Sequence, residues 1–175
     1  MEKTYNISVF TENSIGMLSR ISLIFTRRHV NIESISASPS ELEGIHRYTI
    51  VVNVTEEQVE KLVGQIEKQI EVLKAFFHLD DEVVYQEMAL YKIPTSMFSS
   101  DGNTEKILRE HNARVLTIET EFTIVEKTGH SEDIKNLFDA LKQINLLEFV
   151  SSGRVAISKP MKTLEKHLEE LKTIN

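Results

Sequence analysis

The sequence predicts an α+β fold: two successive βαββαβ units followed by a helix. Two observations carry this. Between residues 5 and 79 the apolar residues switch between a period of two and a period near 3.6, in the order strand, helix, strand, strand, helix, strand. A comparable order returns over residues 87–158, after the acidic run Asp80-Asp81-Glu82. The predicted organisation is a first domain over 1–79, a linker over 80–86, a second domain over 87–158 and a tail over 159–175.

Residues 5–11 read as a strand with Ile7 and Val9 on one face, and residues 17–28 as a helix with Leu18, Ile21, Ile24 and Phe25 on one stripe. Residues 31–38 are extended, 39–44 form a loop, and Tyr48, Ile50, Val52 and Val54 alternate along a strand over 47–54. Thr55-Glu56-Glu57-Gln58 has the form of a capping box, in which Thr55 and Gln58 satisfy each other's backbone donors. The helix it opens is expected to bury Val59, Leu62, Val63, Ile66 and Ile70, and residues 72–79 close the unit as a strand. This β-α-β-β-α-β order is the ferredoxin-like pattern, with both helices on one face of an antiparallel sheet and the other face or an edge left for a partner.

The second unit reads as a strand over 87–94, a helix over 103–111, strands over 114–117 and 121–127, a helix over 131–143 and a last strand or hairpin over 146–157. Ser131 is the expected N-cap of the longer helix. The architecture repeats, but the sequence does not. Residues 162–174 are expected to form a terminal helix with Leu164, Leu168 and Leu171 on a narrow stripe.

Composition narrows the function. The 175 residues are 41% hydrophobic, enough for one ordinary domain or two small ones. A net charge of -7 argues against nucleic acid, whose phosphates require a basic face. The lack of cysteine excludes disulfides, zinc–cysteine sites and thiol nucleophiles. No signal-like start and no apolar run of membrane-spanning length are present, so the expectation is a soluble, cytoplasmic protein without membrane contact.

Candidate catalytic chemistry is scarce. The six histidines have no metal-ligand spacing, the acidic pairs Glu56-Glu57 and Glu169-Glu170 suit solvated helix faces, and neither GxGxxG nor a Walker loop occurs. No catalytic residue and no metal site are assigned, and a bound cofactor is not expected. One junction remains. In VFTENSIGMLSR, residues 9–20, a strand gives way at Asn13 to Gly16 and then at once to helical periodicity. A helix beginning there leaves unpaired N–H groups and the positive end of its dipole, which suit a carboxylate or phosphate. Asn13 adds a donor and an acceptor, and Asn31 opens the next strand, expected beside it. The same residues also fit a plain capped turn, and both readings stand on physics alone.

The combination Asn13-x-x-Gly16-x-Leu18-x-Arg20, Phe25, Arg28 and Asn31-Ile32-Glu33-Ser34-Ile35 resembles the signature of an ACT domain. More narrowly it is similar to the small regulatory subunits of acetolactate synthase. The likeness extends to Glu87-Met88-Ala89-Leu90-Tyr91-Lys92-Ile93 and to Ser152-Gly153-x-Val155-Ala156. The resemblance implies two ACT domains paired sheet to sheet as a homodimer, with a feedback effector, usually valine, at their interface. It assigns effector binding to Asn13, Gly16, Met17, Leu18, Asn31 and Ile32. It implies a separate large catalytic subunit as partner, carrying thiamine diphosphate, magnesium and usually FAD. The second domain is expected to hold and activate that subunit. The alternative is a free-standing tandem-ACT amino-acid sensor with another target. His29 stands where a glycine is common, Ser38 where a small apolar residue flanks the pocket, Ser152 where arginine is frequent, and Lys159-Pro160 where Arg-Gly is frequent.

Overall fold

Strands β1 (Lys3–Glu12) and β3 (Ile45–Val54) form the centre of the first sheet because their inward positions are apolar along the whole length: Tyr5, Ile7 and Val9 on one, Tyr48, Ile50, Val52 and Val54 on the other. They pair antiparallel with Ile7 opposite Ile50. The computed structural model describes residues 1–98 and 102–160; the tail helix expected over 162–174 lies outside the described residues. Strands β2 (Ser34–Pro39) and β4 (Val72–Leu79) flank the central pair in the order β2-β3-β1-β4. Helices α1 (Met17–Arg27) and α2 (Glu56–Ile66) bury Met17, Ile21, Ile24 and Phe25, and Val59, Leu62, Val63 and Ile66, in the core they share with these strands.

The predicted capping box forms: the Thr55 N–H donates to Gln58 Oε1 (2.9 Å) and the Gln58 N–H to Thr55 Oγ1 (3.4 Å). Ile70 departs from expectation. The helix stops at Ile66, and a turn closed by Gln69 N–H to Ile66 O (3.0 Å) carries Ile70 outward, 98% exposed. At the other helix end, His29 adopts a left-handed φ of 54°. The Val30 N–H then reaches Phe25 O (3.0 Å) and the His29 N–H reaches Thr26 O (3.1 Å), a Schellman closure without its usual glycine.

The second unit repeats this plan with β5 (Val83–Pro94), α3 (Asn103–Glu110), β6 (Arg114–Ile118), β7 (Phe122–Gly129), α4 (Ser131–Lys142) and β8 (Glu148–Ser151), in the order β6-β7-β5-β8. Its core holds Ala89, Tyr91, Ile93, Leu108, Val125, Ile134, Leu137 and Leu141. The Tyr91 hydroxyl donates to Ile134 O (2.8 Å), and burial pushes its phenol pKa up. His130, rather than the expected Ser131, occupies the N-cap position of α4, and its N–H donates to Asp133 Oδ2 (3.1 Å). The Ser131 hydroxyl instead donates to Glu87 Oε1 (2.7 Å).

Two domain boundaries shift. The chain divides into residues 1–84 with 154–160, and residues 85–153. The expected linker over 80–86 is a single 3-10 turn, Asp80–Glu82, running straight into β5. Residues 154–158, expected from the sequence at the end of the second domain, pack with the first unit. The last strand or hairpin expected over 146–157 is two short strands, β8 in the second unit and β9 (Val155–Ser158) in the first.

The cause lies on the sheet face away from α1 and α2. There the Ser36 hydroxyl donates to Arg154 O (2.6 Å) and Arg47 Nη2 to Ala156 O (2.6 Å), while Arg154 Nη1 reaches Asn6 Oδ1 (3.0 Å) and Asp80 Oδ1 (2.8 Å). This face, one of the two places (with an edge) expected to be left for a partner, buries Asn6, Ser8, Phe10, Thr49 and Val51.

Candidate effector-binding site

The junction after β1 is built by backbone bonds. The Asn13 N–H donates to Gly44 O (3.0 Å), the Ser14 N–H to Glu12 O (2.9 Å), and the Glu12 N–H to Glu71 O (2.9 Å). Gly16 is the N-cap of α1, with φ 84° and ψ 2°, and no side chain caps the helix. That left-handed geometry suits glycine, and neither Asn13 nor Ser14 occupies the cap. A Cβ placed on Gly16 would meet nothing within 4 Å, so the space over the helix N-terminus is open.

Arg20, one turn into α1, braces this loop from behind. Its guanidinium pairs with Glu71 and reaches Ile15 O (3.3 Å) and Ser14 Oγ (3.4 Å). The hydrogen bond from Arg20 holds the Glu71 carboxyl below the usual carboxylate range. The result is an exposed helix N-terminus at a dipole's positive end, a setting that suits one small anion.

The expected site residues fall into two groups. Asn13, Gly16 and Leu18 are exposed at the α1 N-terminus, whereas the Met17 side chain lies in the core and its N–H donates to Ser14 O (3.4 Å). Asn31 is exposed, with its amide on Glu33 Oε1 (3.2 Å), and Ile32 is half-buried against the core. The structure does not put Asn31 beside Asn13 within one chain. Strand register shows why: Thr11 lies level with His46 and Pro39 at one end of the sheet, and Asn6 level with Val51 and Ser34 at the other. α1 runs back between those ends, and its 11 residues span about 16 Å. Asn13 and Gly16 are therefore at one end of the unit, Asn31 and Ile32 at the opposite end.

Between them, β2 is an edge strand whose Ala37, Ser38 and Pro39 are exposed. Ser38 lies opposite Arg47 on β3. Two surface clefts of this unit lie elsewhere, one of about 530 Å³ along Arg28 and Gln65, the other of about 410 Å³ along Phe76, His78 and Pro160. Neither cleft includes the open helix end at Gly16. Among the described residues no three His, Asp or Glu side chains stand together as metal ligands, and no helix is long and apolar enough to cross a membrane. Sequence reading missed Glu71 and the bracing role of Arg20, because partners about fifty positions apart leave no periodic mark.

Comparison with known proteins agrees with this architecture. Residues 7–74 match the family described as the AHAS small subunit-like ACT domain, and residues 86–160 match the family described as the small subunit of acetolactate synthase. The chain is 35% identical to the acetolactate synthase small subunit of Bacillus subtilis over 87% of its length and 89% of that protein's. It is 31% identical to the same subunit of Mycolicibacterium smegmatis, with 89% and 91% covered. The crystal structure of the acetolactate synthase small subunit from Thermotoga maritima superposes with a TM-score of 0.82 at 25% identity, covering 91% of this chain and 99% of that one. Fold and junction together define an ACT-domain protein of the regulatory class. The chain belongs to the acetolactate synthase small subunit family.

Proposed function

We infer that the chain is the non-catalytic regulatory subunit of acetolactate synthase, which activates the large catalytic subunit and confers feedback inhibition by a branched-chain amino acid, valine first among them. The observation that carries this reading is the uncapped start of α1, where Gly16 holds a left-handed turn beneath open space. An amino acid's carboxylate fits the open, positive end of the dipole there, and Asn13 stands ready for its ammonium group. Asn31 and Ile32 complete the pocket from a second copy. A twofold axis beside edge strand β2 sets the β1 end of one chain against the opposite end of its partner, and an unpaired strand edge favours such an association. Thiamine diphosphate, magnesium and FAD belong to the large subunit in this reading. The test is reconstitution: the chain alone turns over no pyruvate, and added to its large subunit it raises activity and makes it valine-sensitive. A large subunit unchanged by the addition overturns the assignment.

A further inference from the structure

Among the described residues Arg154 is the most enclosed cation of the first unit, 5% exposed, and charged groups are buried only at a cost that their partners must offset. Its partners are Asn6 Oδ1 (3.0 Å) and Asp80 Oδ1 (2.8 Å), and Asn6 Nδ2 itself donates to the same Asp80 oxygen (2.7 Å), closing a triangle. The residues that follow extend the grip. Arg154 O accepts from Ser36, Ala156 O accepts from Arg47, the Lys159 N–H donates to Glu82 O (2.9 Å), and Lys159 Nζ donates to Asp81 O (2.6 Å). Residues 154–159 thus form a strap fastened to β1, β2, β3 and the turn at Asp80–Glu82.

Two facts give the strap a role beyond stability. First, it is fastened to the two strands that lead to or from the candidate site. Asn6 is on β1, which ends at the Asn13–Gly16 junction, and Ser36 is on β2, which follows Asn31 and Ile32. Second, the chain passes into the second unit between Val84 and Tyr85 and returns between Gly153 and Arg154. The Arg154–Asp80 pair therefore joins the residue at the return to a residue just ahead of the departure. A shift of β2 or β1 would therefore bear on both connections to the second unit through one ion pair.

We propose that Arg154 is the coupling residue of this sensor, positioning the strap so that effector occupancy in the first unit is conveyed to the chain segments that enter and leave the second. This rests on the effector-site reading above. Coupling between sites is a free energy separate from the affinity of either site, so removing Arg154 should spare binding and abolish the response.

The experiment measures two quantities on the same proteins: valine affinity of the full small subunit by calorimetry, and valine inhibition of the reconstituted enzyme. Arg154→Met keeps the side chain's length but not its charge, and Asp80→Asn perturbs the same pair from its more exposed end, so at least one variant should retain the native circular dichroism spectrum. The expected result is affinity within about threefold of wild type, with maximal inhibition reduced at least fivefold, as loss of a typical coupling factor of about 5–150 implies. Arg154→Lys should retain part of the inhibition. Hydrogen exchange across residues 154–160 should slow on adding valine to wild type and not to Arg154→Met. Inhibition at wild-type strength in both variants overturns the proposal. So does parallel loss of binding and inhibition in folded variants, which would make the strap a support of the site. Wild-type protein that binds no branched-chain amino acid overturns the effector-site reading itself, and the coupling role with it.

Discussion

At the scale of single residues, Gly16 governs the candidate site through conformation and charge together. Gly16→Asp keeps a residue type that tolerates the left-handed region, but sets a carboxylate where the ligand's carboxylate would lie. A favourable helix-end contact is typically about 0.3–1 kcal/mol, and repulsion replaces it. Valine titration of the reconstituted enzyme should show inhibition abolished in Gly16→Asp and weakened in Asn13→Ala, with activation intact in both. Unchanged inhibition in Gly16→Asp would leave this junction a plain turn. His78 makes a second prediction. Half-burial, reinforced by the Arg47 charge and opposed by Glu82, lowers its pKa below the ordinary 6.5. The unfolded chain therefore takes up the proton first, and the stability His78 supports above about pH 6.5 is lost as pH falls through that value. The melting temperature should decline below pH 6.5 in wild type, and less steeply in His78→Gln; parallel curves would count against it. The Asn13–Gly16 motif was legible because a glycine between two periodicities marks a junction. The separation of Asn31 from it was not, because a residue before a strand carries no sign of which sheet end it occupies.

Elements were legible where local chemistry specifies them. The Thr55–Gln58 box starts α2 as written, and its stripe from Val59 to Ile66 lies in the core. Ile70 continued the same period on paper, yet the turn after Ile66 takes it into solvent. That contrast is measurable by urea denaturation. Leu62→Ala, at a fully buried position, should cost about 2–5 kcal/mol through the cavity it leaves. Ile70→Ser should stay within about 0.5 kcal/mol of wild type. Equal effects would mean that α2 extends a turn further than Ile66. Strand β9 shows the opposite case. Its residues alternate like the end of a hairpin, but their placement depends on Ser36, Arg47 and Asn6, more than a hundred positions away. Polar partners at such separations have no period to read.

For the whole molecule, the proposed site, with Gly16 and Asn31 at opposite ends of one chain, is completed by a twofold pair, and light scattering at micromolar concentration should report about twice the 20.1 kDa chain mass. Mixing makes a sharper test. A Gly16→Asp chain and an Asn31→Ala chain, each impaired alone, should regain valine binding when exchanged into mixed dimers, since one of the two sites is then intact. No recovery would place the site within a single chain. The strap over residues 154–160 also bears on how the protein is made. A ribosome delivers all the strands and helices of the first sheet, then the entire 85–153 unit, before Arg154 emerges. At about 5–20 residues per second, the nascent sheet waits several seconds with Asn6, Ser36 and Arg47 lacking their partners on the strap. During that interval the unfinished chain presents an adhesive surface to nascent neighbours and chaperones. A gene truncated after codon 84 would make that interval permanent, yielding a product that aggregates; one encoding residues 1–84 joined by a short glycine bridge to 154–160 should remain dispersed.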